Sequence, residues 1–250
     1  MTAKKELSFL QILAVLALFF TTMGVAAVSP AMAKFAAQFP NYNYALISTF
    51  PSLFIVPTTL WAGSVAGKKI SYRTLSLVGI ILFILGGILP FFFTESFWFI
   101  ILCRGIFGIG AGLRNSLGNA LVIQVIPKEK QAAYLGYGTL VMNAGGIAFQ
   151  MAGGALAEIQ WNYTFLAYLF GILSLLLYFF QPEPERVEVV ETKKEKVKFP
   201  VPALVIGIFF FLYSILNYPA MMNMSLLFEL RNAGGPTVAA TALSLYTVGG

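Results

Sequence analysis

The stretch FWFIILCRGIFGIGAGLRNSLGNALVIQVI occupies residues 97–126 and carries two charges, Arg104 and Arg114. At about 1.5 Å per residue, a helix of that length exceeds the roughly 30 Å thickness of a bilayer core. Seven further stretches, 10–33, 45–66, 74–94, 132–157, 162–180, 201–228 and 236–250, contain no charge. Apolar runs of this length, separated by short polar segments, predict an all-α polytopic membrane protein, because only a helix or a closed barrel satisfies its backbone inside lipid. Within 97–126 the helical period puts Arg104, Gly108, Ala111 and Asn115 on one face, a small and polar stripe predicted to point into a bundle.

The composition excludes most alternatives. The chain is 58% hydrophobic and 10% charged, against about 25% charged residues in soluble domains. All ten acids are Glu, there is no Asp or His, and Cys103 is the single cysteine. Catalytic triads, His-based zinc sites and disulfide frameworks therefore have no residues to form them, and no metal, cofactor or enzymatic activity is expected. The net charge of +6 would suit a nucleic acid only if the basic side chains shared one solvated face. Instead they follow the loops. With the N-terminus inside, Lys4, Lys5, Lys68, Lys69, Arg73, Lys128, Lys130, Arg186, Lys193, Lys194, Lys196 and Lys198 lie on the inner side, and Lys34 and Arg231 on the outer. This asymmetry predicts a multi-pass protein of the cell membrane with a cytoplasmic N-terminus, the bilayer as its partner and no nucleic acid.

Lys4 and Lys5 before an apolar run, with Ala31-Met32-Ala33 after it, resemble a secretory signal. The run is longer than a signal core and further spans follow, so a retained first helix is expected. Between Gln181 and Pro200 ten of twenty residues are ionic, acidic first and basic later, which predicts a solvated linker without a core of its own. The last apolar stretch runs to Gly250 with no flanking charge, so the sequence reads as a piece of a longer chain.

Three local patterns stand in the first six stretches. The loop after the second holds Gly63, Lys68, Lys69 and Arg73; the fourth holds Arg104, Gly105, Gly108, Gly110 and Gly112, with Pro127, Glu129, Lys130 and Gly136 beyond it; the fifth holds Gly136, Gly145, Gly153 and Gly154. Together with the order of six spans, a charged linker and a seventh span, these resemble the major facilitator superfamily of secondary transporters, whose fold pairs two six-helix halves. In the loop, Gly67 stands where the family has Asp and Ile70 where it has Gly; the basic residues there also serve as topology anchors. In the fourth span, Gln124 stands at a second acidic position. In the fifth, the antiporter pattern keeps Gly136, Gly145, Gly153 and Gly154 but has Phe149-Gln150 in place of Gly-Pro. Gly138, Gly145, Ala148 and Ala152 are expected to press against a helix of the other half.

The resemblance implies residues 1–180 as an N-terminal six-helix transmembrane bundle, 181–200 as a cytoplasmic linker and 201–250 as the start of the C-terminal bundle. It implies alternating-access transport of a small solute, with protons as the coupling ion and a monomer when complete. The antiporter-like fifth span points to proton-coupled efflux of hydrophobic organic compounds; the alternative is proton-coupled uptake of a small anion or nutrient, which a lone buried Arg would favour. The expected substrate or coupling residues are Arg104, Asn115, Thr21, Thr22, Asn143 and Gln150, each polar and inside a span. The expected gate residues are Gly63, Lys68, Arg73, Gly136, Gly145, Gly153 and Gly154. Arg104 is expected to face a cavity and to serve transport rather than stability, Arg114 to reach the inner surface, and Gly79 to face lipid.

Overall fold

A computed structural model describes residues 7–184 and 201–249, with side chains from residue 204 in the second part. Lys4, Lys5 and residues 185–200 of the charged linker lie outside the described residues. The helices are α1 (Phe9–Phe20), α2 (Met32–Gln38), α3 (Leu46–Val65), α4 (Tyr72–Phe92), α5 (Phe97–Val125), α6 (Lys128–Ile159), α7 (Gly171–Tyr178), α8 (Val201–Leu230) and α9 (Pro236–Gly249). Two 3-10 runs, Gly24–Ala31 and Trp161–Phe170, complete the set. The first span is α1 and α2 joined through the first 3-10 run and bent by 40°; the sixth is the second run continued by α7.

Serine marks three of the helix starts. The Ser8 and Gln11 side chains cap each other's backbone in a capping box at α1, and Ser71 and Ser96 accept from the amides of Thr74 and Phe99 at α4 and α5. These bonds satisfy amides that a helix leaves without internal partners.

Inside a membrane a carbonyl freed by a proline or a helix break needs a donor from elsewhere in the protein, and three in this chain are served in that way. Pro51 has no N–H to give the Ile47 carbonyl four residues before it, and Arg104 Nε donates to that carbonyl at 2.8 Å. In the first span the Thr21 amide bonds the Phe19 carbonyl, which releases the Ala17 carbonyl; it accepts from Ser174 Oγ at 2.9 Å and Arg114 Nη2 at 3.2 Å. Pro30 deprives Ala27 of a 3-10 donor, and Thr164 Oγ1 donates there at 3.0 Å.

The interior of the first six spans is aromatic. Phe107 lies 4.7 Å from Phe83 and 4.9 Å from Tyr168, centroid to centroid, and Phe149 completes the cluster at 6.1 Å from Tyr168. Such tilted and edge-on pairs are favoured by the ring quadrupole. The two ends of the bundle differ. At one, Phe39 meets Phe97 and Trp161 at 5.3 Å each, and Tyr42 stacks on Phe97 at 4.6 Å. At the other, basic end, Glu183 binds the N-terminus of α4 through both oxygens, with Tyr72 N at 2.9 Å and Arg73 N at 2.8 Å. A carboxylate there meets both free amides and the positive end of the helix dipole.

Candidate functional site

Polar groups of α6 and α9 pair where the two helices meet. Gln150 Nε2 donates to Thr247 Oγ1 at 3.4 Å, and its Oε1 accepts from Ser244 Oγ at 3.2 Å. One turn on, Gly154 lets the helices close: a Cβ there would lie 2.5 Å from the Ala240 Cβ and 2.8 Å from the Pro236 carbonyl. A further turn on, Glu158 Oε1 accepts from Thr237 N at 3.0 Å. Gln150, Gly154 and Glu158 thus form an i, i+4, i+8 seam. Towards the aromatic end, Ser225 of α8 donates to the Pro30 carbonyl at 2.6 Å and accepts from Ala33 N at 3.4 Å.

Beside this seam α8 and α9 expose a neutral polar cluster. The Tyr213 and Tyr246 hydroxyls lie 3.0 Å apart, and Tyr246 OH donates to Asn217 Oδ1 at 3.3 Å. Tyr213 and Asn217 stand at the middle of α8, one turn apart, in a stretch exposed on nearly every side. A cavity of about 470 Å³ elsewhere, lined by Pro57, Trp61, Val78, Leu82, Ile109 and Leu113 among others, holds none of the predicted polar residues.

The predicted residues do not gather at one place. Arg104 is fully buried: beyond the Ile47 carbonyl, its Nη1 donates to Tyr168 OH at 2.9 Å and its guanidinium lies 4.3 Å over the Phe107 ring. The expectation of a cavity-facing Arg104 is therefore corrected, because aromatic side chains and a proline-freed carbonyl occupy its surroundings. Arg114 does not reach the surface either; it is 3% exposed and points to the Ala17 carbonyl. Thr21 and Thr22 both bond the Leu18 carbonyl of their own helix, serving the break in the first span. Asn115 is exposed on α5 and Asn143 half-buried on α6. Gln150 alone among the six joins the first six spans to α9.

The glycines divide similarly. Gly145 packs on the Phe20 backbone and Gly138 on the Phe19 ring, so these two press on the first span; the expected close contact with the second set of helices is made by Gly154 instead. Gly153 meets the Ala27 carbonyl; among the described residues a Cβ at Gly136 would meet nothing within 4 Å, and one at Gly63 would meet Ser116 at 3.9 Å. Gly79 is buried, 2.7 Å from Arg114 Cγ by the same measure, which corrects its expected lipid-facing position. Lys68 is exposed, and Arg73 Nε donates to the Gln181 carbonyl at 2.8 Å.

The family model of the Major Facilitator Superfamily matches residues 14–250. The chain belongs to the major facilitator superfamily. Among curated relatives, a putative multidrug resistance protein MdtD of Escherichia fergusonii is 25% identical over 138 residues, 55% of this chain and 29% of that protein, and its counterpart in Enterobacter is 26% identical over the same length. Of the solved structures, a D-xylose-proton symporter superposes with a TM-score of 0.62 at 14% identity, over 96% of this chain and 64% of that one. A bacterial homologue of the human lysosomal transporter Spinster gives 0.60 at 18% identity, over 92% and 55%. The chain thus spans under a third of the curated relatives it matches and about half to two thirds of these structures.

The superfamily patterns take on physical content in this chain. At the position of the family's loop Asp, Gly67 has φ +71° and its amide bonds the Ile70 carbonyl at 2.8 Å, a left-handed turn that glycine makes without strain. In place of Gly-Pro, Phe149 enters the aromatic interior while Gln150 turns to α9. In the fourth span, the Arg104–Gly108 pair packs on the second span at its proline: Arg104 serves the Ile47 carbonyl, and Gly108 admits Pro51, whose carbonyl would lie 2.5 Å from a Cβ. Sequence reasoning missed Tyr168, Tyr213, Asn217, Ser244, Tyr246 and Glu158. The α6 seam was visible as a four-residue spacing, and Pro51 as a proline inside a span; the partners of each lie far along the chain.

Proposed function

We propose that this superfamily member is a secondary transporter that carries a hydrophobic organic compound out of the cell by alternating access, coupled to protons. The observation that carries the reading is the exposed Tyr213–Asn217–Tyr246 cluster beside Gln150, Ser244 and Thr247, which offers aromatic faces and neutral hydrogen-bonding groups and no charge. Such a lining suits an apolar solute with a few polar groups. The relatives named as putative multidrug resistance proteins favour the same class. With Arg104 enclosed, the feature that would favour an anion is withdrawn from the surface. In this reading residues 1–180 and 201–250 belong to two bundles joined by the 181–200 linker, the basic end is cytoplasmic and the aromatic end outside.

Everted membrane vesicles containing the full-length protein test the function. A lipophilic fluorescent dye should accumulate when the lumen is acidified and leave when a protonophore is added, and Tyr246→Ala or Asn217→Ala should raise KM without lowering the protein level. Absence of gradient-driven accumulation across a panel of hydrophobic compounds would overturn the efflux reading; gradient-driven movement of a small anion would establish the alternative. For orientation, an impermeant thiol reagent outside intact cells should label Asn41→Cys and spare Lys69→Cys and Thr192→Cys. Cys103 is buried and stays silent.

A further inference from the structure

On the outside of the bundle α3 and α4 flank a groove. Pro57 and Trp61 of α3 form one wall of the cavity of about 470 Å³, Val78 and Leu82 of α4 the other, and Ile109 and Leu113 of α5 the floor. Glycines of α5 set this shape: Gly112 admits the α3 backbone at Ile55, and Gly110 the α4 backbone at Leu82 and Phe83, so both walls are held on α5. Pro57, Trp61 and Val78 are exposed, hence the groove opens away from the bundle. From Thr74 to Leu82, both in its lining, α4 rises about 12 Å, close to the depth of one leaflet of a bilayer core roughly 30 Å thick. The mouth at the end of α3 is basic. Ile70, which lines it, follows Lys68 and Lys69 at the tip of a fixed turn, in which Gly67 N donates to the Ile70 carbonyl at 2.8 Å and Ile70 N to the Val65 carbonyl at 3.2 Å. Both lysines are exposed, as is Arg73. The nearby acid, Glu183, accepts from the amides of Tyr72 and Arg73, so the turn keeps an excess of positive charge.

We propose that this groove is a binding site for an anionic phospholipid: one acyl chain lies between α3 and α4, and the phosphate meets the ammonium groups of Lys68 and Lys69. An apolar groove alone would take the tail of any lipid, and a basic turn alone any anion. The two in line fit a molecule that is apolar over about 12 Å and negatively charged at its end. Trp61, one turn before the end of α3, places an indole between them at the depth where such rings are favoured. Lysine stems can lie along the apolar wall while their ammonium groups stay at headgroup level, and basic clefts between spans suit phosphate head groups. None of the polar residues of the α6–α9 seam lines the groove, so it is separate from the proposed solute site. Its assignment to the cytoplasmic leaflet rests on the orientation proposed above; its choice of an anionic lipid does not.

Quenching of Trp61 by brominated lipids tests the site in the full-length protein reconstituted into vesicles. The Trp61 signal is the difference between the protein and its Trp61→Phe variant. Brominated phosphatidylglycerol should bind there about five- to thirtyfold more strongly than brominated phosphatidylcholine, the range for one to two basic side chains at a membrane surface. Lys68→Gln with Lys69→Gln should bring the two lipids to near equality. Lys128→Gln with Lys130→Gln, at the start of α6, should keep the preference. Val78→Phe, which puts a ring into the groove, should lower quenching by both lipids. In the unsubstituted protein the preference should shrink at 1 M salt, where charges are screened beyond about 3 Å; this reading serves if a variant does not fold. Equal binding of the two lipids would reduce the groove to ordinary lipid contact and overturn the proposal, as would a preference that survives the lysine substitutions or high salt. Absence of quenching by either lipid would mean that a protein segment covers the groove, and would overturn it too. The measurement needs neither solute nor gradient, so its failure and that of the efflux reading are distinguishable.

Discussion

Arg104 and Arg114 stand ten residues apart in α5, both buried, and each donates to a backbone carbonyl freed in a neighbouring span, by Pro51 for Arg104 and by the bend of the first span for Arg114. Their surroundings differ. Arg104 has the Ile47 carbonyl, the Tyr168 hydroxyl and the faces of Phe107 and Tyr168 at 4.3 and 5.3 Å. Arg114 has one bond of 3.2 Å, and its Nε and Nη1 have no hydrogen-bond partner among the described residues. Depth in an apolar sequence therefore says that a cation is costly, while its partners say what it does. Arg104 fastens the second and sixth spans to α5; Arg114 shares its carbonyl with Ser174, which holds it closer at 2.9 Å.

The largest effect is expected from Arg104→Leu. It leaves a buried carbonyl and a buried hydroxyl without their donor, and stability in detergent should fall by about 2–4 kcal/mol. This reverses the expectation from sequence that the substitution is neutral for stability. Arg104→Lys should recover part of the loss, since an ammonium lacks the planar fork that reaches both acceptors. An unchanged unfolding midpoint for the leucine variant would remove the distinction between the two arginines.

Gly79→Leu comes next, because its side chain would enter the space of Arg114 Cγ and the Gly110 carbonyl, 2.7 and 3.1 Å from a Cβ. Overpacking of this kind costs about 1–3 kcal/mol. The same assay should place it beside Gly145→Leu, which meets the Phe20 backbone; a silent Gly79→Leu would return that position to the lipid face.

Pro51→Ala sharpens the comparison by returning an amide to the Ile47 carbonyl. In that background Arg104→Leu should cost about 1 kcal/mol less, an interaction that a double-mutant cycle reads directly. Additive effects would mean that the proline is not the reason for the Arg104 bond.

Arg114→Leu should have the smallest effect, within about 1 kcal/mol, as it removes an incompletely bonded cation and leaves the Ala17 carbonyl its Ser174 hydroxyl. A loss equal to that of Arg104→Leu would show that the two sites are equivalent.

The sequence by itself determined the all-α membrane class, the positions of the spans and the side on which the basic loops gather, because hydropathy and loop charge are summed over neighbouring residues. It also marked Gly138, Gly145, Ala148 and Ala152 as places where a helix could approach another. Only the tertiary structure decided which donor meets which freed carbonyl. Arg104 and Ile47 are 57 residues apart, Arg114 and Ala17 97, and Glu158 and Thr237 79. It also decided that Gly145 faces the first span while Gly154, nine residues on, faces α9. The physical reason is that a helix presents every side, and a polar or small residue on it states a need without naming the neighbour that meets it; that neighbour is chosen when the helices pack.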